Sequence, residues 1–294
     1  MAKKIAIVSP SLKMGGIERS LSVLANYFVK QKYTVIFISC LRGKHFYKLN
    51  ENIIVEEPDF KRKTGLTNKV ITYYKIVSFI KKRINAHNPD VVLSFGDFFN
   101  PLTLLALRNT PYPVYISDRT SPDYDFSFPI PWLKSWLYPK SAGFIAQTSR
   151  AAAYKEKQFG KDFNIEVIPN AMRKIQEYDS KKEPIILYVG RFAWEKAPQY
   201  LINAFAHIQN KGDWKLVMAG SGPMLADMKA LAKDLAIENR VEFLGKVKKV
   251  DKLYAKASIF VLPSVVEGFP NALIEAMAAG LPCICFDTIA HEDI

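Results

Sequence analysis

The sequence contains little cysteine and little histidine, three and four residues respectively among 294. The three cysteines, Cys40, Cys283 and Cys285, cannot form a disulfide framework, and no Cys-x-x-Cys pair is present for zinc or redox chemistry. The histidines are scattered, and none has the spacing of a metal ligand with another. The composition therefore excludes disulfide-rich and zinc-binding modules and favours a reducing cytoplasm.

The sequence also lacks long apolar segments. No run of about 18 uninterrupted apolar residues occurs, and the N-terminal segment has no cleavable apolar region, so we expect no membrane span and no secretory signal. Neither a Gly-x-Ser-x-Gly elbow nor a Gly-x4-Gly-Lys-Ser/Thr loop is present. Hydrophobic residues make up 49% and charged residues 23%, as in ordinary globular proteins. At about 150 residues per domain, the length predicts two domains.

The positive charge is unevenly distributed along the chain. Residues 1–175 contain 27 Lys and Arg against 13 Asp and Glu, whereas residues 176–294 contain 14 against 15. The first half therefore is expected to meet an anionic partner: nucleic acid, an acidic membrane surface or a phosphorylated acceptor. Because the sequence has no signature of a nucleic-acid-binding module, we expect no nucleic-acid partner.

Two segments of the first half have an unusual amino-acid composition. Residues 61–83 interleave eight Lys and Arg with apolar residues, which predicts a basic amphipathic helix. It either packs on a sheet with its lysines in water or adsorbs to an anionic membrane. Residues 126–138 are rich in aromatic residues and proline. They form either a short helix that buries Trp132 and Trp136 or a membrane or lipid contact.

Short β-branched runs alternate with helical patterns along the whole chain, which predicts an α/β fold with doubly wound parallel sheets. Strands are predicted over Ile5–Val8, Thr34–Ser39, Val91–Phe95, Val114–Ser117, Gly143–Ala146, Glu166–Ile168, Ile185–Val189, Lys215–Ala219, Val241–Leu244, Ile259–Leu262 and Cys283–Phe286. The polar stretch 169–184 interrupts the alternation and predicts a linker. We therefore assign residues 1–175 and 176–294 to two domains.

Candidate binding residues follow the predicted strands, where open α/β sheets bind ligands. Gly15 and Gly16 lead into a helix whose N–H groups either receive a phosphate or merely form a tight turn. Arg191 and Lys196 suit a diphosphate, the alternative being a solvated loop with ordinary surface cations. Gly220-Ser-Gly222 allows close backbone approach to a ligand, although a plain turn explains it equally well.

The most informative segment is residues 263–275. Glu267 lies in a loop after a strand, Gly268 allows unusual dihedral angles, and Pro270-Asn271 begins a helix whose N–H groups favour an anion. Glu275, in the first turns of that helix, can accept hydrogen bonds from the two hydroxyl groups of a ribose.

With these motifs the chain resembles the family 4 glycosyltransferases of the GT-B fold, retaining enzymes that use nucleotide sugars. The resemblance covers nearly the whole chain. It depends on the ordered motifs Gly15-Gly16-x-Glu18, Val167-Ile-Pro-Asn170, Gly190-Arg191, Glu195-Lys196, Gly220-Ser-Gly222 and, above all, Glu267-x7-Glu275. It implies two Rossmann-like domains that face each other across a cleft, with the acceptor on residues 1–175 and the nucleotide sugar, expected to be a UDP-sugar, on residues 176–294.

The resemblance also implies roles for individual residues. Arg191 and Lys196 would hold the donor diphosphate, Gly15 and Gly16 would approach it, and Glu275 would bind the ribose. Glu267 and the segment Gly268-Phe269-Pro270-Asn271 would bind the donor sugar and its phosphate, with Gly220 and Gly222 nearby. Asp118 or Arg119 would replace a histidine that many members place beside sugar and acceptor, an Asp118–Arg119 pair being the alternative, and Glu18 and Arg119 would face the acceptor.

No cofactor or metal ion is expected, and Asp123-Tyr-Asp125 is rejected as a metal site because no strand precedes it. Members of the family usually continue beyond the last predicted strand, so the second domain is expected to be incomplete, with reduced stability and weakened or absent turnover. The predicted protein is a peripheral, cytoplasmic enzyme on the inner face of the cell membrane. It transfers a hexose or N-acetylhexosamine to a lipid-linked or polysaccharide-precursor acceptor. The alternative is an inactive sugar-nucleotide-binding or scaffolding protein.

Overall fold

The computed structural model describes residues 3–60, 65–122, 124–208 and 212–287. The chain divides into two compact units, Met1–Ala171 and Met172–Ile294. Each unit contains one parallel sheet with helices against it. The predicted α/β class is therefore confirmed.

The first unit alternates strands and helices along the chain. Its strands are β1 (Lys4–Ser9), β2 (Thr34–Ser39), β3 (Ile54–Glu56), β4 (Val91–Phe95), β5 (Val114–Ser117), β6 (Gly143–Ala146) and β7 (Ile165–Val167). Its α-helices are α1 (Gly16–Lys30), α2 (Leu66–His87), α3 (Phe99–Ala106), α4 (Ile130–Leu137) and α5 (Ser149–Phe159), and a 3-10 turn covers Tyr138–Lys140.

The sheet of the first unit has the order β3-β2-β1-β4-β5-β6-β7, with every neighbouring pair parallel. Alternate residues of β1 face two separate apolar clusters. Ala6 and Val8 pack with α2, α3 and α4, whereas Ile5 and Ile7 pack with α1. Burial on both faces explains why this strand is a continuous apolar run rather than an alternating one.

Two features of the first unit differ from the sequence prediction. The short edge strand β3 was not predicted, since it has only three residues and none of them is buried. The helix α4 forms as one alternative proposed, but it does not bury its tryptophans, because Trp132 remains 57% exposed and Trp136 37%. The predicted basic helix begins at Leu66, and Lys61, Arg62 and Lys63 lie outside the described residues.

The second unit repeats the same alternation. Its strands are β8 (Ile185–Val189), β9 (Lys215–Ala219), β10 (Val241–Gly245), β11 (Ile259–Leu262) and β12 (Cys283–Cys285). Its α-helices are α6 (Pro198–Ala206), α7 (Leu225–Asp234), α8 (Asp251–Lys256) and α9 (Asn271–Ala278), with 3-10 turns at Trp194–Lys196 and Glu238–Arg240. The segment 169–183 that precedes β8 contains neither helix nor strand.

The sheet of the second unit has the order β10-β9-β8-β11-β12, again with parallel pairs. Its core contains the fully buried Tyr188, Phe192, Phe205, Tyr254 and Phe260. No helix in the described ranges has both the length and the apolar character needed to cross a membrane.

Candidate functional site

Each sheet has a point where the chain reverses the direction in which it adds strands. This point lies between β1 and β4 in the first unit and between β8 and β11 in the second. The loops after the two central strands diverge there, and open α/β sheets bind ligands in the resulting crevice. We therefore expect ligand-binding residues in the loops after β1, β4 and β5 in the first unit and after β8 and β11 in the second.

In the second unit, the loop after β8 is attached to the loop after β11. The backbone N–H groups of Val265 and Val266 both donate to the Glu195 carbonyl, at 3.0 and 3.2 Å. This places Arg191 and Lys196 next to the Glu267 loop. The Arg191 side chain is 66% exposed and lies 3.9 Å from the Glu195 carboxylate, so its guanidinium faces solvent.

The Lys196 ammonium donates to Glu267 Oε1 at 2.6 Å. Glu267 is buried, whereas the Lys196 side chain is partly exposed. A buried carboxylate requires such a cation, because charge without a partner is costly in a low-dielectric environment. Burial, together with Glu267 and Glu195, raises the pKa of the Tyr188 hydroxyl beneath this pair. The structure thus brings Lys196 and Glu267, two of the four charged residues assigned to the donor site, into direct contact.

The Glu275 carboxylate, on α9, is also held by a cation. It is 2% exposed, lies 3.2 Å from Arg173 Nε and accepts a hydrogen bond from the Tyr254 hydroxyl at 3.2 Å. The Arg173 guanidinium binds Asp251 with its other two nitrogens, with one Nη1–Oδ2 distance of 2.7 Å. The carboxylate expected to bind a ribose is therefore oriented by a residue of the preceding linker.

Helix α9 begins at Asn271, immediately after a buried Pro270. Gly268 and Phe269 are half-buried in the turn before it. The N–H groups of Leu273 and Ile274 donate to the Pro270 carbonyl and that of Asn271 to the Phe269 carbonyl, so much of the first turn is already hydrogen-bonded to the preceding turn. Gly268 is not among the described glycines with positive φ, so its backbone does not use the left-handed region that glycine allows.

Gly220 and Gly222 serve the packing of loops within the second unit. Gly220 has φ +150°, and a Cβ on it would lie 1.8 Å from the Gly190 carbonyl oxygen. A Cβ on Gly222 would lie 2.2 Å from the Phe192 carbonyl oxygen. The backbone that approaches these glycines closely is that of the loop after β8, so they set the position of Arg191.

In the first unit, the Glu18 side chain folds over the start of α1. Its Oε1 accepts a hydrogen bond from Ser11 Oγ at 2.7 Å, and a Cβ on Gly15 would lie 2.1 Å from Oε2. A carboxylate at this position is favoured by the helix dipole. A phosphate that approached Gly15 would meet this carboxylate, because Glu18 Oε2 occupies the space beside that glycine.

Asp118, after β5, belongs to a buried cluster of charges. Its carboxylate lies 3.1 Å from Lys134 Nζ and 2.9 Å from Lys155 Nζ, and it also accepts hydrogen bonds from Tyr138 and Asn100. Burial alone would raise the pKa of Asp118, but the two ammonium groups and the Tyr138 hydroxyl bring it below its usual range. The proposed Asp118–Arg119 pair is wrong, since the Arg119 guanidinium binds Asn170 and stacks 4.1 Å above the Phe95 ring.

A second carboxylate, Asp97 after β4, completes this cluster. It accepts hydrogen bonds from Lys134 Nζ at 2.6 Å, from the N–H groups of Arg119 and Thr120 and from the Thr120 hydroxyl. Burial and the neighbouring Asp118 raise its pKa despite the Lys134 partner. Asp97 thus ties the loop after β5 to the loop after β4.

Sequence reasoning missed Arg173, Asp97 and Lys134. Arg173 lies three residues after the end of the Val167-Ile-Pro-Asn170 motif, and a cation close to that motif was the available signal. Asp97 follows a buried strand, a position that draws attention, whereas nothing in the pattern of α4 marks Lys134 as buried. Among the described residues, no group of three His, Cys, Asp or Glu side chains is arranged to hold a metal ion; Asp123 and His291 lie outside those residues.

Both units of the chain match models of known protein families. Residues 14–173 match the model of Glycosyltransferase Family 4, and residues 171–294 match that of Glycosyl transferases group 1. The chain is 30% identical over 278 residues to a Campylobacter jejuni enzyme, GalNAc-alpha-(1->4)-GalNAc-alpha-(1->3)-diNAcBac-PP-undecaprenol alpha-1,4-N-acetyl-D-galactosaminyltransferase, covering 93% of this chain and 76% of that one. It is 24% identical to the amylovoran biosynthesis glycosyltransferase AmsD of Erwinia amylovora, covering 98% and 81%.

Solved structures share the fold. The Anabaena protein HepE in complex with UDP and glucose superposes with a TM-score of 0.79 at 19% identity, covering 99% of this chain and 82% of that one. A sucrose-phosphate synthase from Thermosynechococcus elongatus superposes with a TM-score of 0.81 at 18% identity, covering 96% and 81%. Both matches support a GT-B-like architecture.

Proposed function

Because the chain belongs to glycosyltransferase family 4, we propose that it is a retaining enzyme that transfers a hexose or N-acetylhexosamine from a UDP-sugar to a lipid-linked or polysaccharide-precursor acceptor. Its family shows that the chain is a hexosyltransferase. The identity of the donor, the identity of the acceptor and the retention of configuration are what we propose. The observation that carries it is the 2.6 Å Lys196–Glu267 pair at the switch point of the second sheet, beside the exposed Arg191.

The second unit supplies groups for each part of a nucleotide sugar. Arg191 and Lys196 provide positive charge for the diphosphate, one as a planar fork and one as a point charge. Glu275 offers acceptor oxygens to the ribose hydroxyl groups, and Glu267 offers them to the sugar. The turn through Gly268 and Phe269 and the first turn of α9, which follows Pro270 and begins at Asn271, are proposed to offer backbone N–H donors to phosphate oxygens, and Pro270 itself contributes no donor. Gly15 and Gly16 are proposed to meet the same diphosphate.

In the proposed reaction, an acceptor hydroxyl oxygen bonds to the anomeric carbon on the face from which the diphosphate leaves. The bond between that carbon and the phosphate oxygen breaks, and the departing phosphate oxygen takes the hydroxyl proton. The cations stabilise the developing charge on the diphosphate, and Glu267 stabilises the cation-like sugar. Neither a separate strong base nor a metal ion is part of this step, so positioning supplies much of the rate.

Asp118 is proposed to act through positioning rather than contact with substrate. Its carboxylate is already bound to Lys134 and Lys155 inside the first unit. Together with Asp97 it fixes the loop that contains Arg119, and Arg119 and Glu18 remain the candidates to face the acceptor.

The proposed acceptor follows the relatives. Two Campylobacter jejuni relatives, 30% and 26% identical, have names that specify N-acetylgalactosamine transfer to undecaprenol-diphosphate-linked glycans, and a third relative acts in amylovoran biosynthesis. The excess of positive charge in residues 1–175 suits a diphosphate-linked lipid in an anionic membrane. We therefore place the enzyme at the inner face of the cell membrane.

Calorimetric titration with UDP and GDP, followed by transfer assays with labelled UDP-sugars and undecaprenol-diphosphate-linked acceptors, tests this proposal. UDP is the first nucleotide to test, because a protein of the same fold binds it. We expect UDP binding that Glu275→Ala weakens and that the exposed control Glu238→Ala leaves unchanged, and we expect an α-linked product from an α-linked donor. Binding without transfer would favour the alternative hypothesis of an inactive sugar-nucleotide-binding protein. Absence of both UDP and GDP binding would refute the assignment of the donor site.

A further inference from the structure

One side of the first unit carries large apolar side chains in contact with solvent. Phe128 is 84% exposed, Tyr74 74% and Val70 65%, and Trp132 and Trp136 belong to α4, which packs against the same apolar cluster as α2. The elements are adjacent, since α2 packs against α3 and α3 packs against α4. We call this surface the aromatic-basic face, defined by the outward residues of α2 and α4 together with Phe128, Arg108 and Lys140.

Helix α4 has an inverted distribution of side chains. Its one charged residue, Lys134, points inward to Asp97 and Asp118, whereas Trp132 and Trp136 point outward. A helix that faces water normally shows the opposite arrangement. The buried ion pairs hold α4 in this orientation, so the tryptophans cannot turn into the core without breaking them.

The two tryptophans are surrounded by cations. Their rings stack with centroids 5.7 Å apart and planes inclined by 23°. The Arg108 guanidinium lies 5.4 Å and the Lys140 ammonium 4.3 Å from the Trp136 ring centroid. Indole rings beside Lys and Arg are the combination enriched at the headgroup level of membranes, where the rings meet apolar chains and the cations meet phosphates.

Helix α2 extends this surface. Its inward positions, four residues apart, are Thr72, Ile76, Ile80 and Ile84, and all are buried. Its outward side combines apolar with basic residues: Lys69, Val70, Ile71, Tyr73, Tyr74, Lys75, Lys81 and Lys82, all exposed. A helix with apolar and basic residues together on its outer side suits adsorption in the plane of an anionic membrane.

We propose that the aromatic-basic face adsorbs to an anionic lipid bilayer, with Trp132, Trp136 and Phe128 at headgroup depth and the lysines of α2 against lipid phosphates. The Lys and Arg residues of this face favour an anionic membrane over a protein partner, because a protein that covers an apolar patch would not need this many cations. Phe128 of this face lies two residues after Phe126, whose ring lies 5.4 Å from that of Phe98 in the loop after β4, so the face begins near the carboxyl end of that strand. The link to a lipid-linked acceptor rests on the proposed function, whereas the adsorption itself does not.

Co-sedimentation with vesicles tests the adsorption without donor or acceptor. The full chain is mixed with phosphatidylcholine vesicles and with vesicles of phosphatidylcholine and phosphatidylglycerol. We expect binding to the second alone, with a blue shift of tryptophan fluorescence and quenching by brominated lipid. Replacing both tryptophans, Trp132→Ser with Trp136→Ser, should reduce partitioning by at least about tenfold. The charge reversals Lys69→Glu, Lys81→Glu and Lys82→Glu together should abolish it.

Matched controls keep the test specific. Tyr27→Ser removes an exposed aromatic residue from α1, on the other side of the sheet, and Lys229→Glu with Lys233→Glu reverses exposed charge on α7. Both controls should bind vesicles as the unaltered chain does, and all variants should melt at the same temperature because the changed side chains are exposed. UDP titration of each variant separates the two proposals, since the face can fail while the donor site stays intact.

Three outcomes would overturn the inference. The first is that the unaltered chain shows no preference for anionic vesicles. The second is that the tryptophan and lysine variants bind as well as the controls do. The third is that the chain self-associates in a tryptophan-dependent way without vesicle binding. The last outcome would assign the face to a second copy of the chain.

Discussion

Arg173 Nε lies 3.2 Å from Glu275 Oε1, while the rest of the guanidinium binds Asp251. A residue of the linker thereby joins α8 and α9 at the carboxylate that we assign to the donor ribose. The Gln176 N–H also donates to Asp251, at 2.9 Å, so the linker is fixed to the second unit from Arg173 onward. We therefore expect donor binding at Glu275 and the position of the linker to be coupled through the Arg173 side chain.

Arg173→Met is expected to lower the free energy of unfolding by on the order of 3 kcal/mol, because Glu275 and Asp251 are buried and would lose the Arg173 cation. In a Glu275→Gln background the same change should cost less, and a double-mutant cycle in urea measures that difference. The exposed neighbour Lys174→Met serves as the control and should change stability by less than about 0.5 kcal/mol. Equal costs in both backgrounds would show that the pair contributes nothing.

Substitutions of Arg191 and Lys196 are both predicted to weaken UDP binding but to differ in their effect on stability. Arg191→Met should weaken UDP binding but leave uridine binding and the melting temperature unchanged, because the side chain is exposed and holds no buried partner. Lys196→Met should weaken UDP binding and also lower the melting temperature, since Glu267 loses its cation. Calorimetry and thermal unfolding measure both. Full UDP affinity in both variants would contradict the diphosphate assignment.

The buried cluster predicts a specific pH dependence. Asp118→Asn should destabilise the first unit by about 3–5 kcal/mol, because Lys134 and Lys155 lose their shared carboxylate. The pKa of Asp118 is lower in the folded chain than its ordinary value near 4, so its stabilisation is complete above that value and is lost as pH falls through the folded pKa. The difference in free energy of unfolding between the unaltered chain and Asp118→Asn should stay constant from pH 7 to about 5 and shrink in stronger acid.

Asp97→Asn is the comparison for this experiment. It should cost less than Asp118→Asn, because both lysines keep Asp118 as a partner and the charged form of Asp97 is already disfavoured by burial and by Asp118. Urea unfolding at each pH measures the gap. A larger cost for Asp97→Asn would reverse the assigned roles of the two carboxylates.

Two glycines of the second unit differ in what an alanine would meet. Gly222→Ala should strongly destabilise the unit and weaken UDP binding, because the new methyl group would lie 2.2 Å from the Phe192 carbonyl oxygen and displace the loop that contains Arg191. Gly245→Ala meets open space at φ +64°, so it should cost only about 1–2 kcal/mol for the left-handed backbone. Similar melting temperatures for the two variants would argue against the loop contact.

The strands show how far the sequence alone reaches. Thr34–Ser39, Val91–Phe95, Ile185–Val189 and Ile259–Leu262 begin and end where the apolar runs predict. Parallel strands are buried on both faces, which makes them continuous β-branched runs that are easy to recognise. The edge strand β3 lacks this burial and therefore lacks the signal.

For the candidate site, the sequence identified residue types but not their partners. The spacing of Glu267 and Glu275 is a local property of one loop and helix, so it is visible in the chain. That Lys196 binds the first and Arg173 the second depends on which loops the sheet brings together, across 71 residues in the case of Lys196. The burial of Lys134 likewise depends on Asp97 and Asp118, which lie at the ends of two different strands.

The sequence by itself therefore determined the α/β alternation, the family motifs and the uneven charge, because hydrophobic periodicity and short-range spacing are encoded along the chain. Only the tertiary structure decided that Asp118 is bound by lysines rather than by Arg119, that Glu275 is oriented by the linker, and that α4 turns its tryptophans outward. In each case the deciding energy comes from charges buried together by distant segments, and no local pattern carries that information.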